Sequence, residues 1–169
     1  VIERSNEMEW YQGPTLLGFL ETIEIKPDQK EYDFRLPVQW VNRPSSNFRG
    51  FSGTVVAGSV EIGQKIRALP SGQETTVKEI FLSSDRLNTA ITDQAITITL
   101  DKEIDLSRGD VIVSASAPCE VSDCFEADLV WMDQEPGYVG RSYSIQLSTS
   151  ATNASLTDIK FKYDINNFE

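Results

Sequence analysis

The chain has 169 residues, 40% of them hydrophobic and 24% charged, which is the composition of a folded globular protein and allows one ordinary domain or two small ones. Its net charge of −11 argues against nucleic acid as a primary ligand, because gripping a phosphate backbone takes a dense Lys/Arg surface, and it points to protein partners. The absence of histidine removes the commonest general base and metal ligand, and Cys119 and Cys124 are too few for a disulfide scaffold and only a faint metal signal, so two free thiols are expected.

The first predicted element is a helix within residues 8–25. Gly13-Pro14-Thr15 supplies a turn and a proline suited to the first helical position, and Leu16, Leu17, Leu20 and Ile23 then form one apolar face. That face needs a surface, either this chain's own barrel or a preceding domain of which it is the last helix. Lys26 to Glu31 is polar and broken by Pro27, and reads as a linker.

From Tyr32 to Ala117 the pattern changes to short β-branched segments: Phe34 to Val41, Gly53 to Val60, Lys65 to Leu69, Thr75 to Leu82, Ala95 to Leu100 and Val111 to Ser114. Turn residues fall at Pro44 to Asn47, Pro70 to Gly72 and Ser107 to Asp110. Six strands with close turns predict a small closed barrel over residues 31–117.

Residues 118–169 read as a second β-unit. Phe125, Ala127, Leu129 and Trp131 alternate with Glu126 and Asp128; Tyr143, Ile145 and Leu147 alternate with Ser144 and Gln146; Ile159, Phe161, Tyr163 and Ile165 alternate with lysines and Asp164. The small polar stretch Ser148 to Ser155 reads as a hairpin loop between the last two of these strands. About three strands cannot close a barrel, so a truncated domain is expected, with exposed edges inviting self-association.

Chemistry is sparse. No glycine is followed by Lys and then Ser or Thr, so the phosphate-cradling motif is missing. Asp123, Glu126 and Asp128 read as a solvated acidic face rather than a catalytic pair. Trp10, Trp40 and Trp131 are scattered, which favours core filling over a base-stacking platform. Arg49-Gly50-Phe51 reads as a glycine-flanked loop that either reaches an anion or a partner, or is simply solvated.

Gly53 to Gly63 (GTVVAGSVEIG) resembles the start of the second domain in elongation-factor-Tu-like GTPases, and Ile104 to Ile112 resembles a strand near that domain's end. Within that superfamily Trp10 to Leu17, Phe34 to Pro44, Phe48 to Thr54, Val130 to Met132 and Tyr163 to Asn167 resemble the large GTP-binding subunit of bacterial sulfate adenylyltransferase, nearly end to end. Ser59 departs from the pattern, which usually has arginine there.

The resemblance implies an all-β fold: a helix and linker from a preceding GTPase domain (residues 1–30), an elongation-factor-Tu-type second-domain β-barrel (31–117) and a partial third-domain β-barrel (118–169). It implies a cytoplasmic parent that pairs with a small catalytic subunit and whose GTP hydrolysis drives formation of adenylyl sulfate from ATP and sulfate. GTP and Mg would belong to a GTPase domain outside these residues, and this region is expected to bind no cofactor, metal, nucleic acid or membrane and to hold no catalytic residue. Contacts with the GTPase domain are expected from Asn42, Arg43, Phe48, Arg49, Gly50 and Phe51. The competing readings are the barrel region of a translation-type factor that binds tRNA, which the acidic charge disfavours, and a stand-alone β-barrel interaction module.

Overall fold

The structure is a computed structural model that describes residues 7, 10–23, 32–45 and 47–162. Its one helix among these residues, α1 (Leu16–Thr22), starts where Thr15 Oγ1 accepts a hydrogen bond from the Gly18 amide at 3.1 Å. Threonine is a strong N-cap because its hydroxyl satisfies one of the first orphan amides. Pro14 therefore precedes the cap instead of opening the helix, and the helix is shorter than the predicted span. None of its residues is buried, and Leu16, Leu17, Leu20 and Ile23 stay 41–59% exposed, so it does not pack on the barrel. The linker Lys26 to Glu31 lies outside the described residues.

Ten strands follow in chain order: β1 (Arg35–Pro37), β2 (Trp40–Ser45), β3 (Phe48–Thr54), β4 (Ser59–Glu61), β5 (Lys65–Leu69), β6 (Glu74–Leu82), β7 (Asp85–Leu87), β8 (Thr89–Ile91), β9 (Ala95–Leu100) and β10 (Val111–Ser114). The main sheet is antiparallel in the order β1-β10-β5-β6-β9-β3-β2, with β7 added to β6, while β4 and β8 form a separate ribbon. The sheet curls onto itself. Arg35 at its first edge exchanges backbone hydrogen bonds with Val56 and Ala57, both at 3.0 Å, just beyond the end of β3.

The six expected segments are all present, but two of them divide. Residues 34–41 break at Val38 and Gln39, because β1 pairs with β10 whereas β2 pairs with β3. Residues 53–60 break between β3 and β4, and the short strands β7 and β8, too brief to show a periodicity, went unpredicted. Closure demands a close approach at Gly53: a Cβ there would lie 2.2 Å from the Pro37 carbonyl oxygen, so only glycine lets β3 pass under that residue.

Strands β5 and β9 send alternate residues inward, and with the buried residues of β1, β3, β6 and β10 these make one cluster. Phe34, Leu36, Phe51, Ile66, Ile80, Ile98, Leu106 and Ile112 are all at most 2% exposed. On β9, Ile96 and Ile98 face this core while Thr97 stays half-buried on the other side, as the alternation predicts.

Beyond the barrel, β11 (Ser142–Leu147) and β12 (Ser150–Ser155) make a two-stranded hairpin. Residues 148–155 are thus mostly strand rather than loop. Leu147 pairs with Ser150, and the turn is only Ser148-Thr149, with Ser148 at φ 54. A ribbon solvated on both faces needs no apolar alternation, which is why its polar sequence concealed it. Residues 125–131 and 159–162 are in no strand, since no neighbour among the described residues takes their ladder hydrogen bonds; Tyr163 and Ile165 lie outside the described residues. Thr149 Oγ1 donates to the Val38 carbonyl at 2.9 Å and ties the hairpin tip to the barrel.

Tryptophan does not fill the core. Trp10 is 76%, Trp40 61% and Trp131 44% exposed. Trp131 instead packs edge-on to Tyr143 at 5.5 Å and donates its indole N–H to the Glu135 carbonyl at 2.7 Å, closing a local turn.

Candidate functional site

The residues singled out in the sequence occupy the β2–β3 hairpin. Asn42 and Arg43 sit on β2, and Phe48, Arg49, Gly50 and Phe51 on β3, so the expected glycine-flanked loop is regular strand. The register pairs Asn42 with Gly50 and Val41 with Phe51. Pairing in a ladder fixes the faces: Phe51, 1% exposed, points into the core, and Phe48 lies on the opposite, outer side.

Gly50 is what lets Phe48 lie flat on the sheet. A Cβ at Gly50 would come within 2.6 Å of Thr97 Cγ2 and 2.8 Å of Phe48 Cε1. Phe48 meets Phe81 of β6 at 6.1 Å between ring centroids, and Arg86 of β7 lies 5.5 Å over the Phe81 ring while bonding Glu79 at 2.9 Å. Ser52 and Thr97 share a hydroxyl hydrogen bond of 2.8 Å beside them. The outer face is therefore a small aromatic patch with hydroxyls and one ion pair, and Trp40 stands exposed on the neighbouring strand.

Arg49 faces the other way. Its guanidinium lies 5.1 Å over Phe51 and donates from Nη2 to the Leu106 carbonyl at 3.3 Å, which holds it at the end of the barrel. Arg43 makes an exposed ion pair with Glu103 at 3.7 Å. The hairpin thus brings Asn42, Phe48 and Gly50 together on one face, and leaves Arg49 and Phe51 on the other. Glu79, Phe81, Arg86 and Thr97 escaped notice in the sequence because only the strand order β6-β9-β3 brings them alongside.

A wider, polar cleft of about 700 Å3 opens between the β4–β8 ribbon and the end of β10, lined by Ser59, Glu61, Gln64, Lys65, Glu74, Thr89 and Ser114 to Ser116. Ser59, the departure from the family pattern, is in its wall. Among the described residues no group of three or more His, Cys, Asp or Glu is placed to hold a metal ion, and Cys119 and Cys124 are free and exposed. Glu126 pairs with Lys160 across the second unit, as suits a solvated acid. No described helix is long and apolar enough to cross a membrane.

No family model matches the chain. Curated relatives do: the sulfate adenylyltransferase subunit 1 of Saccharophagus degradans is 45% identical over all 169 residues, and that of Vibrio cholerae serotype O1 46% identical over 167. Over its whole length this sequence is similar to one region of these sulfate adenylyltransferase subunit 1 proteins. It spans about a third of these relatives, 36% and 35% of their lengths. Among solved structures, Sup35 complexed with GMPPNP superposes with a TM-score of 0.67 at 19% identity, covering 94% of this chain and 39% of that one. A bacterial selenocysteine-specific elongation factor gives a TM-score of 0.63 at 21% identity, over 80% of this chain and 22% of its own. The fold of this chain is accordingly the β-barrel fold found in elongation-factor-Tu-like translation factors.

Proposed function

We propose that this chain is the non-catalytic β-barrel region of a sulfate adenylyltransferase GTPase subunit, in which GTP hydrolysis drives formation of adenylyl sulfate from ATP and sulfate during sulfate assimilation in the cytoplasm. The observation that carries the proposal is identity of about 45% sustained over the whole chain to subunit 1 relatives. GTP and Mg do not fit the residues present: there is no phosphate-cradling motif. Nucleotide chemistry therefore belongs to a GTPase domain of the parent, and the barrels transmit its state. A rigid closed sheet suits that work, because a packed core passes a displacement of one face on to another instead of absorbing it.

The outer face of the β2–β3 hairpin is the proposed contact with the GTPase domain. Asn42, Phe48 and Gly50 offer an aromatic surface with polar edges, a composition that interfaces favour. The small catalytic subunit is the proposed external partner. A bacterium lacking subunit 1 tests the proposal: a subunit 1 gene whose matching region is replaced by this sequence should restore growth on sulfate as sole sulfur source. A stable, soluble chimera that fails to restore growth would count against the reading.

A further inference from the structure

Strand β9 crosses the middle of the proposed contact face, between β3 and β6. Its residues Ile96 and Ile98 are in the core, so Thr97 and Thr99 stand on the outer side. The ladder sets Thr99 between Gly50 of β3 and Glu79 of β6, and Thr97 between Ser52 and Phe81. The two threonines differ in one respect. Thr97 Oγ1 shares a 2.8 Å hydrogen bond with Ser52 Oγ, whereas Thr99 Oγ1 is buried and has no hydrogen-bonding partner among the described residues. Thr99 is only 7% exposed, although it belongs to the solvent side of the sheet.

The aromatic pair is what covers it. Phe48 and Phe81 are on strands separated by β9, yet their ring centroids are 6.1 Å apart, well under the roughly 9–10 Å between strands two places apart in a sheet, so the rings meet over β9. Phe48 lies two residues before Gly50, the partner of Thr99, and Phe81 is the partner of Thr97, so the line from one ring to the other passes over Thr99. Burying a hydroxyl without a partner is costly and rare in native proteins. An edge-to-face ring contact stabilises by a comparable amount, which leaves the covering and the outward positions of the Phe48 ring close in free energy. Phe48 is also placed to move. It opens β3 beside a register shift in the β2–β3 ladder, it is only partly buried, and beneath its ring is glycine, with no Cβ to interlock with it.

We propose that Phe48 is a movable lid: its ring lies over Thr99 in the free barrel and swings outward when the GTPase domain of the parent docks, so that the ring enters that domain and the uncovered Thr99 hydroxyl donates to one of its backbone carbonyls. The inference rests on the reading of this face as the GTPase contact. Docking supplies at once the partner that Thr99 lacks and a new apolar surface for Phe48, which makes Thr99 a positioning residue of the contact.

The 169-residue chain, and a relative's subunit 1 carrying it in place of the matching region, test the lid. In the chain, Thr99→Val keeps the side-chain shape and removes the bare hydroxyl. It should lower the unfolding equilibrium constant about fivefold, read as a higher urea midpoint with an unchanged slope, whereas Thr97→Val, which breaks the bond to Ser52, should raise that constant by about as much. Relaxation dispersion at the Phe48 ring carbons should show exchange with a minor outward population, quenched by Thr99→Val. In the chimera, Thr99→Val should reduce GTP stimulation of adenylyl sulfate synthesis about fivefold, because valine has no proton to donate to the docked domain. A Thr99→Val chain less stable than the parent overturns the lid, since the hydroxyl then already bonds a water in the opening of about 120 Å3 that Phe48 and Thr99 both line. A Phe48 ring without exchange, or a Thr99→Val chimera with undiminished stimulation, overturns it too. A chimera with Thr99 in place but no stimulation sinks the subunit reading instead, and the ring exchange in the chain then decides the lid by itself.

Discussion

The guanidinium of Arg49 lies 5.1 Å over the ring of Phe51 and donates to the carbonyl of Leu106, 57 residues further along the chain. One side chain thereby covers the end of the core and ties β3 to the segment leading into β10. Replacing Arg49 with alanine removes a partly desolvated cation–π contact and a charge-assisted hydrogen bond. The expected cost is about 1–3 kcal/mol, read as a lower urea midpoint with an unchanged slope. Arg49→Lys should recover only part, because lysine lacks the flat guanidinium fork.

Gly50 should not tolerate a side chain. Gly50→Ala places a Cβ against Thr97 Cγ2 and the Phe48 ring, and should destabilise by about 1–3 kcal/mol. Thr97→Ser deletes the offending methyl, so the same alanine should cost less in that background. A double-mutant cycle on urea midpoints measures the difference.

Core and surface should separate sharply. Ile98, fully buried on β9, should lose about 2–5 kcal/mol on truncation to alanine through lost burial and the cavity left behind. Trp40, 61% exposed on β2, should change stability by less than about 0.5 kcal/mol when replaced by alanine, although its side chain is far larger. Chemical denaturation of both variants checks the contrast.

The turn between residues 131 and 143 should depend on Trp131. Trp131→Ala removes the indole bond to Glu135 and the edge contact with Tyr143, so amide exchange at Tyr138 and Gly140 should speed up while barrel amides such as Ile98 keep their protection. Hydrogen exchange resolved by residue reads both.

The barrel strands were legible where burial imposes a period. Lys65–Leu69 and Ala95–Leu100 begin and end where the alternation does, because Ile66 and Ala68, and Ile96 and Ile98, go into the core. The pattern failed where burial stops choosing sides. Residues 150–155 are polar on both faces yet pair fully with β11, and residues 125–131 alternate without a strand beside them. The site was half legible. Arg49 and Phe51 stood out beside Gly50, but Phe81 and Thr97 reach Phe48 and Gly50 only through the order of the strands, which no local stretch of sequence encodes.

The proposed role of this chain is as the barrel region of a GTP-driven sulfate adenylyltransferase subunit. Its most direct test is adenylyl sulfate synthesis by the small catalytic subunit together with a relative's subunit 1 carrying this chain in place of its own matching region. Synthesis should be stimulated by GTP and reduced when Phe48 on the proposed contact face is changed to alanine. A folded chimera that hydrolyses GTP without any stimulation of synthesis would contradict it.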